Sequence, residues 1–352
     1  MRVINLNYKL RVTNSINHPF MKYTFLFLLI IGGLACSNEF ELNAPAREIP
    51  IVFGLLSRAD AVHYIRVERA FIDEQTSALT LAQDPDVLYY DDINVELIRE
   101  SNGTAFTLDR VDISQLGIER DTGIFATNPN IAYGIEAAEL NLQEEETYRL
   151  NIRLPSSEEI LTTATTPIVS DLRLNRPIPG AQKPPLRILE DDEITILWGA
   201  DETARLFDVT MLIHYEEFEP NNANTLVNRT LEWPIATSLE GVDGPNRVEP
   251  DGIEFFEFLS VNIPQNPDVQ RVLRSIDIRI DAGGEDLFNY INVGQANTGI
   301  TSAQVIPNFT NLSNGLGLFA SRNTLLEEGF VIDSQTRDRL RESEVTRDLN
   351  FR

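Results

Sequence analysis

Apolar and polar residues alternate along much of this chain, and the alternation predicts strands. In "YRLNIRL", Tyr148, Leu150, Ile152 and Leu154 fall on one face and Arg149, Asn151 and Arg153 on the other. "INVELI" repeats the pattern with Ile93, Val95 and Leu97, and "IDIRID" with Ile276, Ile278 and Ile280. Successive strand side chains point to opposite faces, so period two marks a sheet with one face in a core. "ITILW" and "FDVTMLI" set Ile194, Ile196 and Trp198 beside Phe207, Val209, Met211 and Ile213 across a short polar turn. The loops between these runs are rich in Pro, Asn, Asp and Gly, the residues that turns demand. The chain reads as mainly β.

Helical signals are few. "NPDVQRVLRS" has Asn266 as a cap, Pro267 at the first position, and Val269, Val272 and Leu273 at helical spacing, which predicts a helix. "TSALTLAQD" and "EDLFNYINV" carry less of that pattern, and Ser334 to Glu344 is charged nearly all round, as a solvated helix or a tail would be. "NLSNGLGLF" (Asn311 to Phe319) sets Asn-Gly and a second glycine among apolar residues. That arrangement predicts a tight turn, a hairpin or bulge closing the second domain, or else a surface where a partner's backbone approaches.

Two sandwich domains fit this order of elements. "LQEEETYRLNIRL" resembles the strand-F region of immunoglobulin and fibronectin type III domains: Leu142 precedes Tyr148 by six positions, as in a tyrosine corner. Its usual Pro-Gly is Glu144-Glu145 here. "ITILWGAD" resembles the early strand of the same fold class, with Trp198 in the core. The expected organisation has an upstream extension and signal peptide over 1–35, a tether over 36–47 and an Ig-like sandwich over 48–169. A second β-rich domain with short helical insertions would follow over 170–332, and a charged helix or tail over 333–352.

One stretch breaks the alternation. From Tyr23 to Ala35 the chain is apolar and uncharged, preceded by Lys22 and followed by the chain's single cysteine, Cys36. A spanning helix needs about 20 apolar residues, and this run is shorter. A basic start, a short apolar run and small residues at its end describe a secretory signal peptide. "GLAC" resembles a bacterial lipobox, in which the first mature residue, here Cys36, is acylated; Gly33 stands where leucine is usual. Met21-Lys22 would begin such a signal cleanly, so initiation at Met21 and a mature chain of 352 − 35 = 317 residues are expected. Acyl chains on Cys36 would hold the body to outer-membrane lipid. No intramolecular disulfide is expected from one cysteine.

Charge narrows the partners. The first 35 residues hold four cations and no acid, so the mature balance is 25 − 54 = −29. Such a surface repels nucleic acid and anionic lipid.

Several stretches together resemble an uncharacterised family of Bacteroidota cell-surface lipoproteins, often encoded beside TonB-dependent outer-membrane receptors. They are "EIPIVFGLLSRADAVHYIRVERAF" (Glu48 to Phe71), "DPDVLYYDDINVEL", the "YRLNIRL…ATTP" pair and "NFTNLSNGLGLFASRN" (Asn308 to Asn323). The resemblance spans nearly the whole mature chain and implies a location and a neighbour, but no activity. "SNEFE" after Cys36, with Glu39 and Glu41, resembles the acidic surface-export signal of Bacteroidota lipoproteins, interrupted by Phe40.

Catalytic motifs are missing from the sequence. It has no G-x-S-x-G, S-x-x-K, H-E-x-x-H, P-loop or dinucleotide fingerprint. His63, alternating with Ile65 and Val67, and His214, beside Tyr215, read as structural histidines. Carboxylates in "DPDVLYYDD" (Asp84, Asp86, Asp91, Asp92) and "EDDE" (Glu190 to Glu193) could ligate Ca²⁺ but lack EF-hand spacing, and read as solvated loops. No metal, cofactor or catalytic residue is assigned.

The expectation is therefore a non-enzymatic, lipid-anchored outer-membrane protein, on the cell surface or facing the periplasm, accessory to a TonB-dependent transporter in nutrient binding or uptake. A glycan-binding lipoprotein is the alternative, with Trp233, Tyr89 and Tyr90 as an aromatic platform. A hydrolase with dispersed carboxylates is a third.

Overall fold

The computed structural model describes residues 49–70, 76–155, 159–296 and 308–352. Cys36, Glu39 and Glu41, and with them the signal and tether, lie outside these residues. Residues from Glu48 to Arg352 make one compact unit, mainly β, of sandwich type, with a few short helices.

The N-terminal half contains β1 (Pro50–Leu56), β2 (Val62–Arg69), β3 (Asn94–Arg99), β4 (Ala105–Thr107), β5 (Asp109–Asp112), β6 (Ile131–Glu136), β7 (Thr147–Leu154) and β8 (Glu159–Pro167). Short helices α1 (Ala78–Leu81), α2 (Pro85–Leu88) and α3 (Ala137–Leu140) join some of them. The rest comprises β9 (Arg173–Arg176), β10 (Ile196–Ala200), β11 (Leu206–Glu219), β12 (Asn222–Glu240), β13 (Gly244–Val248), β14 (Gln270–Gly283) and β15 (Leu316–Phe330). Helices α4 (Gly252–Asn262), α5 (Glu285–Ala296) and α6 (Ser334–Glu342) belong to this half.

Among the described residues these strands form three sheets. One has eight strands in the order β12-β11-β14-β15-β1-β2-β6-β5; the others are β4-β3-β7-β8 and β13-β10-β9. Period two sets the faces. On β1, Val52 and Leu56 point into the first core; on β7, Tyr148, Leu150 and Ile152 meet them from the four-stranded sheet. The second core gathers Trp198, Phe207, Val209, Met211 and Ile213 with Ile276, Ile278 and Ile280, and Trp198 meets Phe207 edge-on with centroids 5.4 Å apart.

Strand β15 joins the two cores. Its first part, Leu316 to Ser321, runs parallel to β1, and its second part, Arg322 to Phe330, runs antiparallel to β14. Leu312 and Phe319, expected in a separate second domain, are therefore buried in the first core. The NGLG stretch is not a hairpin turn; it leads into this parallel pairing. Gly317 has φ +116°, and a Cβ there would lie 1.9 Å from the Val52 carbonyl oxygen. Only glycine combines that backbone with so close an approach. Upstream, Asn311 imitates a strand neighbour: its Nδ2 donates to Phe319 O at 2.6 Å and its Oδ1 accepts from Phe319 N at 3.0 Å.

Two helical readings change. Asn266 caps only a turn, accepting from Asp268 N at 3.0 Å, and Gln270 already pairs with Phe218 in β14. The buried Arg271 and the run of isoleucines that follows favour the ladder over a helix. Conversely, α4 forms from "GIEFFEFLSVN", burying Phe255, Phe256 and Leu259. The charged C-terminal stretch is a helix with one buried side: Asp333 caps α6 by accepting from Thr336 N at 2.7 Å, and Leu340 is buried. Beyond it, Leu349 and Phe351 enter the second core. Among the described residues, no helix is long and apolar enough to cross a membrane.

Candidate functional site

The first core leaves the opposite face of its sheet uncovered in places. Alternation that sends Val52 and Leu56 inward sends Phe53 and Leu55 outward, and on β2 it sends Val62, Tyr64 and Arg66 the same way. With Leu287 of α5 beside them, these residues line a cleft of about 410 Å³ that is open to solvent. Ligand pockets commonly span about 300–1,000 Å³. Phe53 is 43% exposed and meets Tyr290 of α5 edge-on at 6.3 Å. The charged groups of the cleft are paired. Asp60 accepts from Arg322 Nη2 at 2.7 Å, and Arg66 Nη2 donates to Asn130 Oδ1 at 2.8 Å. The cleft suits an apolar group rather than an ion.

The outer face of the second part of the sheet is polar. There His214 of β11 stands between two neighbouring strands. Its Nδ1 lies 2.9 Å from Thr230 Oγ1 on β12, and its Nε2 lies 2.7 Å from Asp277 Oδ2 on β14. The other carboxylate oxygen of Asp277 accepts from Gly329 N at 2.8 Å. Side-chain exposure falls from 31% at His214 to 10% at Asp277. Hydroxyl, imidazole and carboxylate thus form one hydrogen-bonded row across three strands. Nothing in the sequence signals it, because residues 214, 230 and 277 become neighbours only through strand register.

The residues singled out from sequence have other surroundings. Leu142 and Tyr148 lie in the first core and Trp198 in the second. Tyr148 is fully buried, and its hydroxyl accepts from Arg99 Nε at 3.1 Å. Arg99 links the hydroxyl to the loop backbone, since its Nη2 donates to Leu140 O and Asn141 O at 3.3 and 3.2 Å. His63 is buried, and neither ring nitrogen has a hydrogen-bond partner among the described residues. Burial holds its pKa below the ordinary value.

The aromatic platform is not open. Tyr89 and Tyr90 are each 4% exposed and Trp233 is 7% exposed. Trp233 points into the second core, where Phe258 of α4 stacks on it at 5.7 Å. The unforeseen helix is what covers it. Asp84 caps α2 by accepting from Asp86 N at 3.0 Å. Glu190 ties the C-terminal segment down: the Ser343 hydroxyl donates to it, Arg339 pairs with it, and its carboxyl is held below the usual range. Among the described residues, no three His, Cys, Asp or Glu side chains are grouped to hold a metal.

No family model and no curated protein matches this sequence. Among solved structures, one similar chain belongs to a cytokine receptor complex, at 10% identity and a TM-score of 0.20, covering 67% of this chain and 92% of that one. Another is the C-terminal globular domain of an oligosaccharyltransferase from Pyrococcus abyssi, at 12% identity and a TM-score of 0.23. That match covers 66% of this chain and 46% of the other.

Proposed function

We propose that this protein is a lipid-anchored lipoprotein of the outer membrane that assists a TonB-dependent transporter in nutrient binding or uptake. The observation that carries the reading is the short apolar run ending in "GLAC". The compact β-rich unit begins at Glu48, which leaves 47 − 36 = 11 residues between the acylated cysteine and the body. A tether followed by a folded module is the layout an anchored accessory protein needs. The transporter partner rests on the resemblance to Bacteroidota surface lipoproteins. The open apolar cleft at Phe53 and Tyr64 supports a binding role, and the burial of Trp233, Tyr89 and Tyr90 disfavours a sugar platform.

Fractionation of cells carrying the protein or its Cys36→Ala variant tests the anchor. Wild-type protein should sediment with outer membranes and incorporate labelled fatty acid, and the variant should do neither. Membrane association that survives in Cys36→Ala would overturn the lipoprotein reading. Protease shaving of intact and lysed cells distinguishes the faces: surface protein is cut in both, periplasmic protein only after lysis. If Glu39 and Glu41 direct export, their replacement by alanine should leave acylation intact and abolish cutting in intact cells.

A further inference from the structure

We propose that Thr230 is an acyl-accepting nucleophile, with His214 as its general base and Asp277 as a positioning residue, in a site that hydrolyses small activated esters. This goes beyond the anchoring role and does not depend on it. The juxtaposition that carries it is the row Thr230–His214–Asp277, closed by the Gly329 N–H.

Hydrogen-bond polarity follows from donor chemistry. A carboxylate only accepts, so the Nε2 facing Asp277 carries the imidazole proton. In the neutral ring Nδ1 then offers a lone pair, to which the Thr230 hydroxyl donates. A hydroxyl polarised toward a base, which a third group orients, is the arrangement that activates a nucleophile. Asp277 is held at both oxygens, by His214 Nε2 and by Gly329 N, which orients the face it turns to the ring.

The strand that carries Thr230 supplies a second element. β12 terminates the eight-stranded sheet, and no described strand pairs with its outer edge. In an antiparallel ladder, alternate residues direct their N–H groups to the neighbour and away from it. Either Thr230 itself or both of its neighbours, Arg229 and Leu231, therefore present a free N–H beside the hydroxyl. Such donors stabilise the oxyanion of a tetrahedral intermediate. The charged groups on the same face are compensated: Arg274 pairs with Glu216, and Arg279 with Glu232 and Asp281. The face therefore suits a small neutral ester.

The chemistry closes on these groups. Thr230 Oγ bonds to the ester carbonyl carbon while its proton passes to His214 Nδ1. The bond from that carbon to the leaving oxygen breaks, and the imidazolium returns the proton to the departing alcohol. Water, deprotonated by the same nitrogen, attacks the acyl-threonine, releasing a carboxylic acid and restoring the hydroxyl.

The test uses p-nitrophenyl acetate with the purified protein and four variants whose folding is checked by melting curves. Wild-type hydrolysis should exceed that of free imidazole at equal concentration. Thr230→Val and His214→Gln should each lose about 100-fold or more. Thr230→Ser, which keeps the hydroxyl, should retain activity. Asp277→Asn should lower kcat with little change in KM and displace the pH profile, a signature that loss of fold would not give. Mass spectrometry after acid quench should find the acetyl group on the peptide bearing Thr230. Wild-type rates in a folded Thr230→Val would mean that the imidazole attacks directly, which overturns the proposal. An adduct elsewhere, or no rate above imidazole, overturns it too.

Discussion

Arg271 reaches from the start of β14 to the carbonyl oxygen of Leu349, donating through Nη1 at 2.7 Å with its side chain 1% exposed. The same guanidinium donates to Pro264 O at 3.0 Å and pairs with Glu217 at 2.7 Å. Its backbone adds two bonds to the tail, accepting from Arg352 N and donating to Asn350 O. One cation thus satisfies a carboxylate and two carbonyls, and it pins the segment that delivers Leu349 and Phe351 to the core.

Removing it should be costly. Arg271→Ala leaves Glu217 without its partner and two carbonyls without a donor, and breaking a buried pair from one side costs about 3–5 kcal/mol. Urea unfolding should show that loss, and proteolysis should cut the C-terminal residues first. An unchanged midpoint would place the stability of this end elsewhere.

Tyr148 separates two contributions. Tyr148→Phe removes only the bond with Arg99 and should cost about 0.5–1.5 kcal/mol. Tyr148→Ala empties a fully buried ring site and should cost about 3–5 kcal/mol. Equal losses in the two variants, read from denaturant curves, would mean that the hydroxyl rather than the ring anchors this sandwich.

The alternation that revealed β7 and β14 is a local signal, since one buried face and one wet face repeat every two residues. The parallel pairing of β1 with β15 leaves no such trace. It depends on which distant strand fits an edge, and the glycines that allow it look locally like a turn. Helix α4 was hidden because Phe255, Phe256, Phe258 and Leu259 crowd more than one face, and Asp251 makes no side-chain capping bond. The Thr230–His214–Asp277 row needs three strands in register before any of its distances exist.

His63 gives the fold an acid limb. Its folded-state pKa is lowered from 6.5 by burial, opposed by the Asp60 charge. Well above pH 6.5 the ring is neutral in both states and has no effect on the balance. Below that, the unfolded chain takes up a proton that the folded chain resists, so stability falls as pH drops toward the folded-state value. A neutral replacement such as His63→Leu should flatten this part of the melting-temperature profile between pH 7.5 and 5. A profile parallel to wild type would assign the acid sensitivity to other groups.

Gly317→Ala tests the close approach of β15 to β1. The φ of +116° and the 1.9 Å contact with Val52 O leave no relaxed position for a methyl group. Strain of this kind costs about 1–3 kcal/mol even before the ladder shifts. Gly103, at φ +71° with nothing within 4 Å, is the control, and Gly103→Asn should be tolerated far better. Comparable losses at both sites, measured by thermal melting, would show that backbone conformation alone governs the effect.

The chain pairs Ile51 with Leu316, across 316 − 51 = 265 residues, and the last of the described strands takes the fourth place among the eight of its sheet. Until that strand arrives, β1 and β14 each expose an unpaired edge, and two half-built sheets face each other with nothing between them. Unpaired edges recruit other chains. Molecules interrupted before residue 316 would therefore be strand acceptors rather than merely shorter proteins, able to take β15 from a neighbour or a synthetic peptide. The strand that unites the two cores makes assembly wait for its latest arrival, and it turns an unfinished copy into a template for exchange.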